Sequence, residues 1–95
     1  MSRIVVDLDN TISISSGDYS KASPITSVIE KLREYKKQGF QITIHTARNM
    51  NSFNKNIGLI NVHTLPVILT WLEEHDVPFD EVVVGKPWCE NDGFY

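Results

Sequence analysis

Two aspartates one residue apart, Asp7 and Asp9, directly follow the apolar run Ile4-Val5-Val6, and that placement is the strongest chemical signal in the chain. Carboxylates at the end of a buried strand are costly unless a cation meets them. At this spacing they can divide the work: one meets a metal and an electrophile, and the other reaches a leaving group to move a proton. Two further apolar runs end in groups suited to phosphate. Residues 40–46 end in the Thr46 hydroxyl, followed by Ala47 and Arg48, and Val82-Val83-Val84 is followed by Gly85-Lys86-Pro87. A hydroxyl and an ammonium at neighbouring strand ends can hold phosphate oxygens. In open parallel sheets the ligand site lies beyond the carboxyl ends of the strands, so a parallel arrangement of the three runs brings these groups to one centre.

The elements needed for that arrangement are legible. Ile4-Val5-Val6 reads as a strand buried on both faces, ending in a polar loop through Thr11. The serine-rich stretch 12–23 predicts a loop or small hairpin. Ser23-Pro24 offers an N-cap and a first-turn proline, and Ile25, Val28, Ile29, Leu32 and Tyr35 recur at helical spacing until Gly39. A helix between two strands suits a crossover to a parallel neighbour. Asparagine-rich residues 49–61 predict an irregular connection. A second helix then begins with Thr64 as N-cap and Pro66 in its first turn, carries the stripe Leu65, Ile68, Leu69 and Leu72, and stops by Pro78. The resulting strand, helix, strand, helix, strand order defines an α/β class with a small Rossmann-like parallel sheet and flanking helices.

A chain of 95 residues has room for a single domain, taken as residues 1–95, with one modest core. A symmetric partner covering apolar surface would add stability, so a homo-oligomer is expected. The net charge of -3 and the dispersed Lys and Arg residues disfavour nucleic acid as a partner, because backbone binding needs clustered positive charge. The short apolar run after Met1-Ser2-Arg3 matches neither a signal peptide nor a membrane span, and the expected location is cytoplasmic. Cys89 is the sole cysteine, so an intrachain disulfide and a cysteine-rich zinc site are both excluded. His45 reads as a packing residue and Trp71 as core, while Arg48 suits either a second anionic group on a substrate or a protein carboxylate.

Taken together, Ile4-Val5-Val6-Asp7-Leu8-Asp9-Asn10-Thr11, His45-Thr46-Ala47-Arg48 and Gly85-Lys86-Pro87 resemble, in order and context, the first three motifs of the haloacid dehalogenase superfamily of phosphotransferases. The longer phrases His45-Thr46-Ala47-Arg48-Asn49-Met50, Gly85-Lys86-Pro87-Trp88-Cys89 and Asp92-Gly93-Phe94-Tyr95 are similar to small capsule-biosynthesis phosphatases. The resemblance implies that Asp7 attacks phosphorus to form an aspartyl-phosphate, and that Asp9 protonates the leaving oxygen and later activates water. It implies Mg²⁺ at Asp7 and Asp9, and contacts to substrate phosphate from Asn10, Thr46, Ala47, Arg48 and Lys86. The superfamily's fourth, acidic motif has no match in these residues: Glu90 and Asp92 precede the expected strand and read as solvated loop charges, so the C-terminal part is expected to be shortened. No stretch between the elements is long enough for a cap domain. The expected activity is that of a magnesium-dependent phosphomonoester hydrolase acting on a small phosphorylated substrate, such as a sugar phosphate of capsule polysaccharide synthesis. A nucleotide or polynucleotide phosphatase and a non-catalytic phosphate- or partner-binding module are the alternatives.

Overall fold

The computed structural model describes residues 2–15, 19–49 and 52–85. In chain order the elements are β1 (Arg3–Asp7), the short strands β2 (Ser13–Ile14) and β3 (Ser23–Pro24) with a 3-10 turn between them (Tyr19–Lys21), and α1 (Thr26–Lys37). They continue with β4 (Gln41–His45), one helical turn α2 (Ile57–Leu59), a π-helical turn (Ile60–Thr64), α3 (Leu65–Glu74) and β5 (Glu81–Val83). β1, β4 and β5 form a three-stranded parallel sheet with β4 in the centre, as the alternation of elements predicts. This is a small Rossmann-like α/β fold, compatible with the haloacid dehalogenase-like type, and the described residues include no cap.

The core lies on one face of the sheet. Ile4 pairs with Ile42, and Val6 with Ile44, which in turn pairs with Val82. These residues meet Ile29 and Leu32 from α1 and Ile68, Trp71 and Leu72 from α3 in a single apolar cluster. Ile42 and Ile44 are fully buried, and side chains of this size contribute about 1.5–3 kcal/mol each on leaving water. Alternation sends Arg3, Val5 and Asp7 to the other face. There Arg3 bridges to Glu81 at 2.8 Å and to Gln41 at 3.2 Å, and Thr43 donates to Glu81 at 2.7 Å. Val5 is 60% exposed, which corrects the expectation that β1 is buried on both faces: both longer helices supply the same face.

Local chemistry explains where the helices begin and end. Gly39, at φ +95°, ends α1 in a Schellman turn: its amide bonds to Lys36 and that of Phe40 to Tyr35, and the Tyr35 and Phe40 rings meet edge to face at 5.3 Å. The start differs from expectation. Ser23-Pro24 pairs with β2 instead of capping the helix, and Ile25 occupies the N-cap position without a side-chain bond. The second helical segment also starts earlier than expected, because the Asn56 side chain accepts the Leu59 amide and caps α2. Thr64 is consequently inside a continuous helical path, and its hydroxyl donates to Asn49 Oδ1 at 2.7 Å. α3 stops before Pro78, at a second Schellman turn in which left-handed Asp76 plays the part of glycine and Val77 bonds to Leu72. Arg33 of α1 donates to the carbonyls of His75 and Asp76 and so ties the two helices together.

Candidate functional site

The register of the sheet brings the chemical residues to one end. Asp7, the last residue of β1, lies directly opposite His45, the last residue of β4, which in turn faces Val83 of β5. The ladder continues one step further, with Leu8 donating to the His45 carbonyl at 3.2 Å and Thr46 to the Val83 carbonyl at 3.0 Å. Asp9, Thr46 and Arg48 therefore stand just beyond the strand ends, where open parallel sheets bind ligands.

A tight turn fixes Asp9. The Leu8 carbonyl accepts the amides of Thr11, Ile12 and Ser13 at 3.4, 2.9 and 3.1 Å, and Asn10 bonds to the Ser13 carbonyl at 2.7 Å. Asn10 takes φ +66°, a left-handed conformation that asparagine tolerates better than most residues. Leu8 is 1% exposed, so the middle residue of Asp-x-Asp plugs the core while its neighbours reach the surface. That pivot role has a sequence signal, an apolar residue between two acids, though sequence reasoning assigned it nothing.

Around Asp9 the contacts are asymmetric. Arg48 Nη2 donates to Oδ1 at 2.7 Å, whereas among the described residues Oδ2 has the longer contacts from Arg48 Nε and Thr46 Oγ1, both 3.4 Å. The Thr46 hydroxyl in turn accepts the Arg48 amide at 3.0 Å. The Arg48 side chain is 2% exposed and that of Asp9 33%, so the guanidinium lies behind the carboxylate rather than in front of it. Sequence reasoning left Arg48 open between a substrate anion and a protein carboxylate, and the structure sets it against Asp9.

The connection after the site is held by its asparagines. Asn49 and Asn54 adopt positive φ, as the composition of residues 49–61 foreshadows, and Asn49 is pinned to Thr64. Gly85, at φ +82°, closes β5 beneath this connection, and a Cβ there would run into the Ile57 side chain. Ala47 and His45 are half-buried. Lys86, Trp88, Cys89, Glu90 and Asp92 lie outside the described residues. Among the described residues no three His, Cys, Asp or Glu side chains gather as a metal cage. No helix of the described residues is long and apolar enough to cross a membrane.

No protein-family model and no curated protein matches the chain. Among solved structures it is similar to a target protein of Vibrio cholerae known from its crystal structure, at 53% identity over 100% of this chain and 78% of that one, with a TM-score of 0.95. The chain belongs to the same family as that Vibrio cholerae protein. It is also similar to a chain of the Pnkp1/Rnl/Hen1 RNA repair complex, at 19% identity over 87% of this chain and 25% of that one, with a TM-score of 0.65. A further structure of the Pnkp1/Rnl/Hen1 complex gives 19% identity and a TM-score of 0.64, with 27% of that chain covered. At this identity the likeness to the complex shows a shared fold alone.

Proposed function

We propose that this chain is a phosphatase-type hydrolase that cleaves phosphomonoesters through an aspartyl-phosphate on Asp7, with Asp9 moving the proton. The observation that carries this reading is the placement of Asp7 at the end of β1, level with His45 of the central strand, with Asp9 and Thr46 meeting just beyond. Asp7 and Asp9 offer oxygen donors, the kind a hard divalent cation takes, so the residues present fit Mg²⁺ at the Asp7 carboxylate and the Asp9 carbonyl. When bound, the ion would offset negative charge on the transferring phosphoryl group. Asn10, Thr46, Ala47 and Lys86 are the proposed phosphate contacts. The Asp7 carboxylate supplies the attacking oxygen, and the tight turn around the Leu8 carbonyl holds Asp9 close by.

The proposed substrate is a small sugar phosphate of surface-polysaccharide synthesis, met in the cytoplasm by a homo-oligomer. The motif phrases of capsule-biosynthesis phosphatases support that substrate class, and an open site without a cap among the described residues suits such a partner. A nucleotide or polynucleotide phosphatase is the second reading, favoured by the fold shared with a chain of an RNA repair complex and disfavoured by the net charge of -3. The test is Mg²⁺-dependent phosphate release from an aryl phosphate, followed by sugar phosphates and 3′- and 5′-phosphorylated nucleotides, in wild type and Asp7→Asn. Loss of activity beyond a hundredfold in the variant is expected. Activity within tenfold of wild type, about 1.4 kcal/mol in barrier, removes Asp7 from the nucleophile role. No turnover on any substrate favours a binding module.

A further inference from the structure

Among the described residues Arg48 is the cation that pairs with Asp9, and its position is unusual for a substrate-binding group. Its side chain is 2% exposed, against 33% for the Asp9 side chain in front of it. The contacts among the described residues also treat the two carboxylate oxygens differently, because Oδ1 receives a 2.7 Å charge-assisted bond while Oδ2 receives contacts of 3.4 Å. Thr46 adds to the fixing of Arg48 by accepting its backbone amide at 3.0 Å. The result is a carboxyl group held side-on by Arg48, tightly at Oδ1 and more weakly at Oδ2.

We propose that Arg48 is a positioning residue for Asp9, clamping Oδ1 so that Oδ2 is the oxygen that moves the proton, rather than a group that grips substrate phosphate. This inference rests on the phosphatase reading above. In the first half-reaction a bond forms between an Asp7 oxygen and phosphorus, and the phosphorus–leaving-oxygen bond breaks. Its electron pair stays on the departing oxygen, which takes the proton from Asp9 Oδ2. In the second half-reaction water attacks phosphorus, gives its proton back to Asp9 Oδ2, and the Asp7 carboxylate leaves with the electron pair of its bond to phosphorus. Both the proton and Asp7 are thereby restored. A carboxyl free to rotate would present the wrong oxygen or none for much of the time, and the loss should fall on the step that needs the proton.

That expectation separates positioning from phosphate binding. A nitrophenolate leaves with little help, whereas an alkoxide needs its proton in the transition state. Arg48→Ala, Arg48→Lys and Asp7→Asn are compared with wild type on 4-nitrophenyl phosphate and on an alkyl phosphate such as glycerol phosphate, with inhibition by inorganic phosphate measured alongside. Circular dichroism checks that each variant is folded, and Arg48→Lys, which keeps the charge, serves if the alanine variant does not fold. The expected result is a fall in kcat/KM, which reports only the step in which the leaving group departs, of about 10²-fold or more on the alkyl ester and less than about tenfold on the nitrophenyl ester, with inhibition by phosphate nearly unchanged and partial recovery in Arg48→Lys. Equal losses on both esters, with raised KM and weakened phosphate inhibition, overturn the proposal and make Arg48 a phosphate ligand. Unchanged rates on both esters overturn it as well. If wild type hydrolyses neither ester, or if Asp7→Asn retains activity, the phosphatase reading itself falls and takes this inference with it.

Discussion

Replacing Thr46 with valine removes a hydroxyl without changing the shape of the side chain, so its effect can be worked from a few contacts. Thr46 is 1% exposed and its Oγ1 accepts the buried Arg48 amide at 3.0 Å. Without that acceptor the amide loses a buried hydrogen bond, at a cost of about 1–3 kcal/mol. The contact to Asp9 Oδ2, at 3.4 Å, is near the outer limit of hydrogen bonding, and its loss adds about 0.5 kcal/mol at most. No cavity opens, since a methyl group fills the space. The total is about 1–3 kcal/mol from a domain whose whole stability is of order 5–14 kcal/mol. For a chain of this size that corresponds to a fall in Tm of about 5–20 °C. Thermal melting followed by circular dichroism measures the shift, and hydrogen exchange at the Arg48 amide tests its origin. The amide should exchange faster in Thr46→Val and remain protected in Thr46→Ser, which keeps the hydroxyl. A fall below about 2 °C, with the Arg48 amide still protected, would refute the reasoning.

Two further outcomes concern the scaffold. Asp80 accepts Lys36 Nζ and, at 2.7 Å, the Ile42 amide, and these bonds, the lysine's first, hold its carboxyl below the usual carboxylate value against a smaller opposing effect of burial. Because the folded-state value is depressed, the stabilisation is present above about pH 4 and is lost as pH falls through the folded value. Asp80→Asn should thus melt lower than wild type at pH 7, with a gap that narrows towards pH 3; a gap independent of pH would show that the charge of Asp80 contributes nothing. Trp71→Phe deletes the bond from the indole N–H to the Ala22 carbonyl, 2.8 Å long and buried, and leaves a small void. A loss of about 2–4 kcal/mol, seen as a urea midpoint lower by about 1–2 M, is expected, and a shift under about 0.3 M would mean that the carbonyl finds another donor.

The residue order by itself determined the alternation of strands and helices, the stop at Gly39, and the position of Asp7 and Asp9 immediately after an apolar strand. Each of these is a local signal: β-branched runs, 3.6-residue spacing, a glycine past a helix end. The turn propensity of the asparagines after β4 was legible for the same reason, since Asn49 and Asn54 do adopt left-handed backbone. Local signals misled where tertiary pairing outweighed them. Ser23-Pro24 has the composition of a helix start, but pairing with β2 takes those residues into a strand. Val5 has the composition of a doubly buried strand, yet α1 and α3 pack against the opposite face and leave it exposed. The Asp80 side chain's bond to the Ile42 amide joins residues 38 apart and has no local signature. The same holds for the site. Sequence placed Asp9 and Arg48 at neighbouring strand ends, but which of the two is the more exposed depends on the parallel register that sets Arg48 against Asp9, 39 residues away in the chain. Long-range register, not residue type, decides whether that arginine meets a substrate anion or holds the carboxylate in front of it.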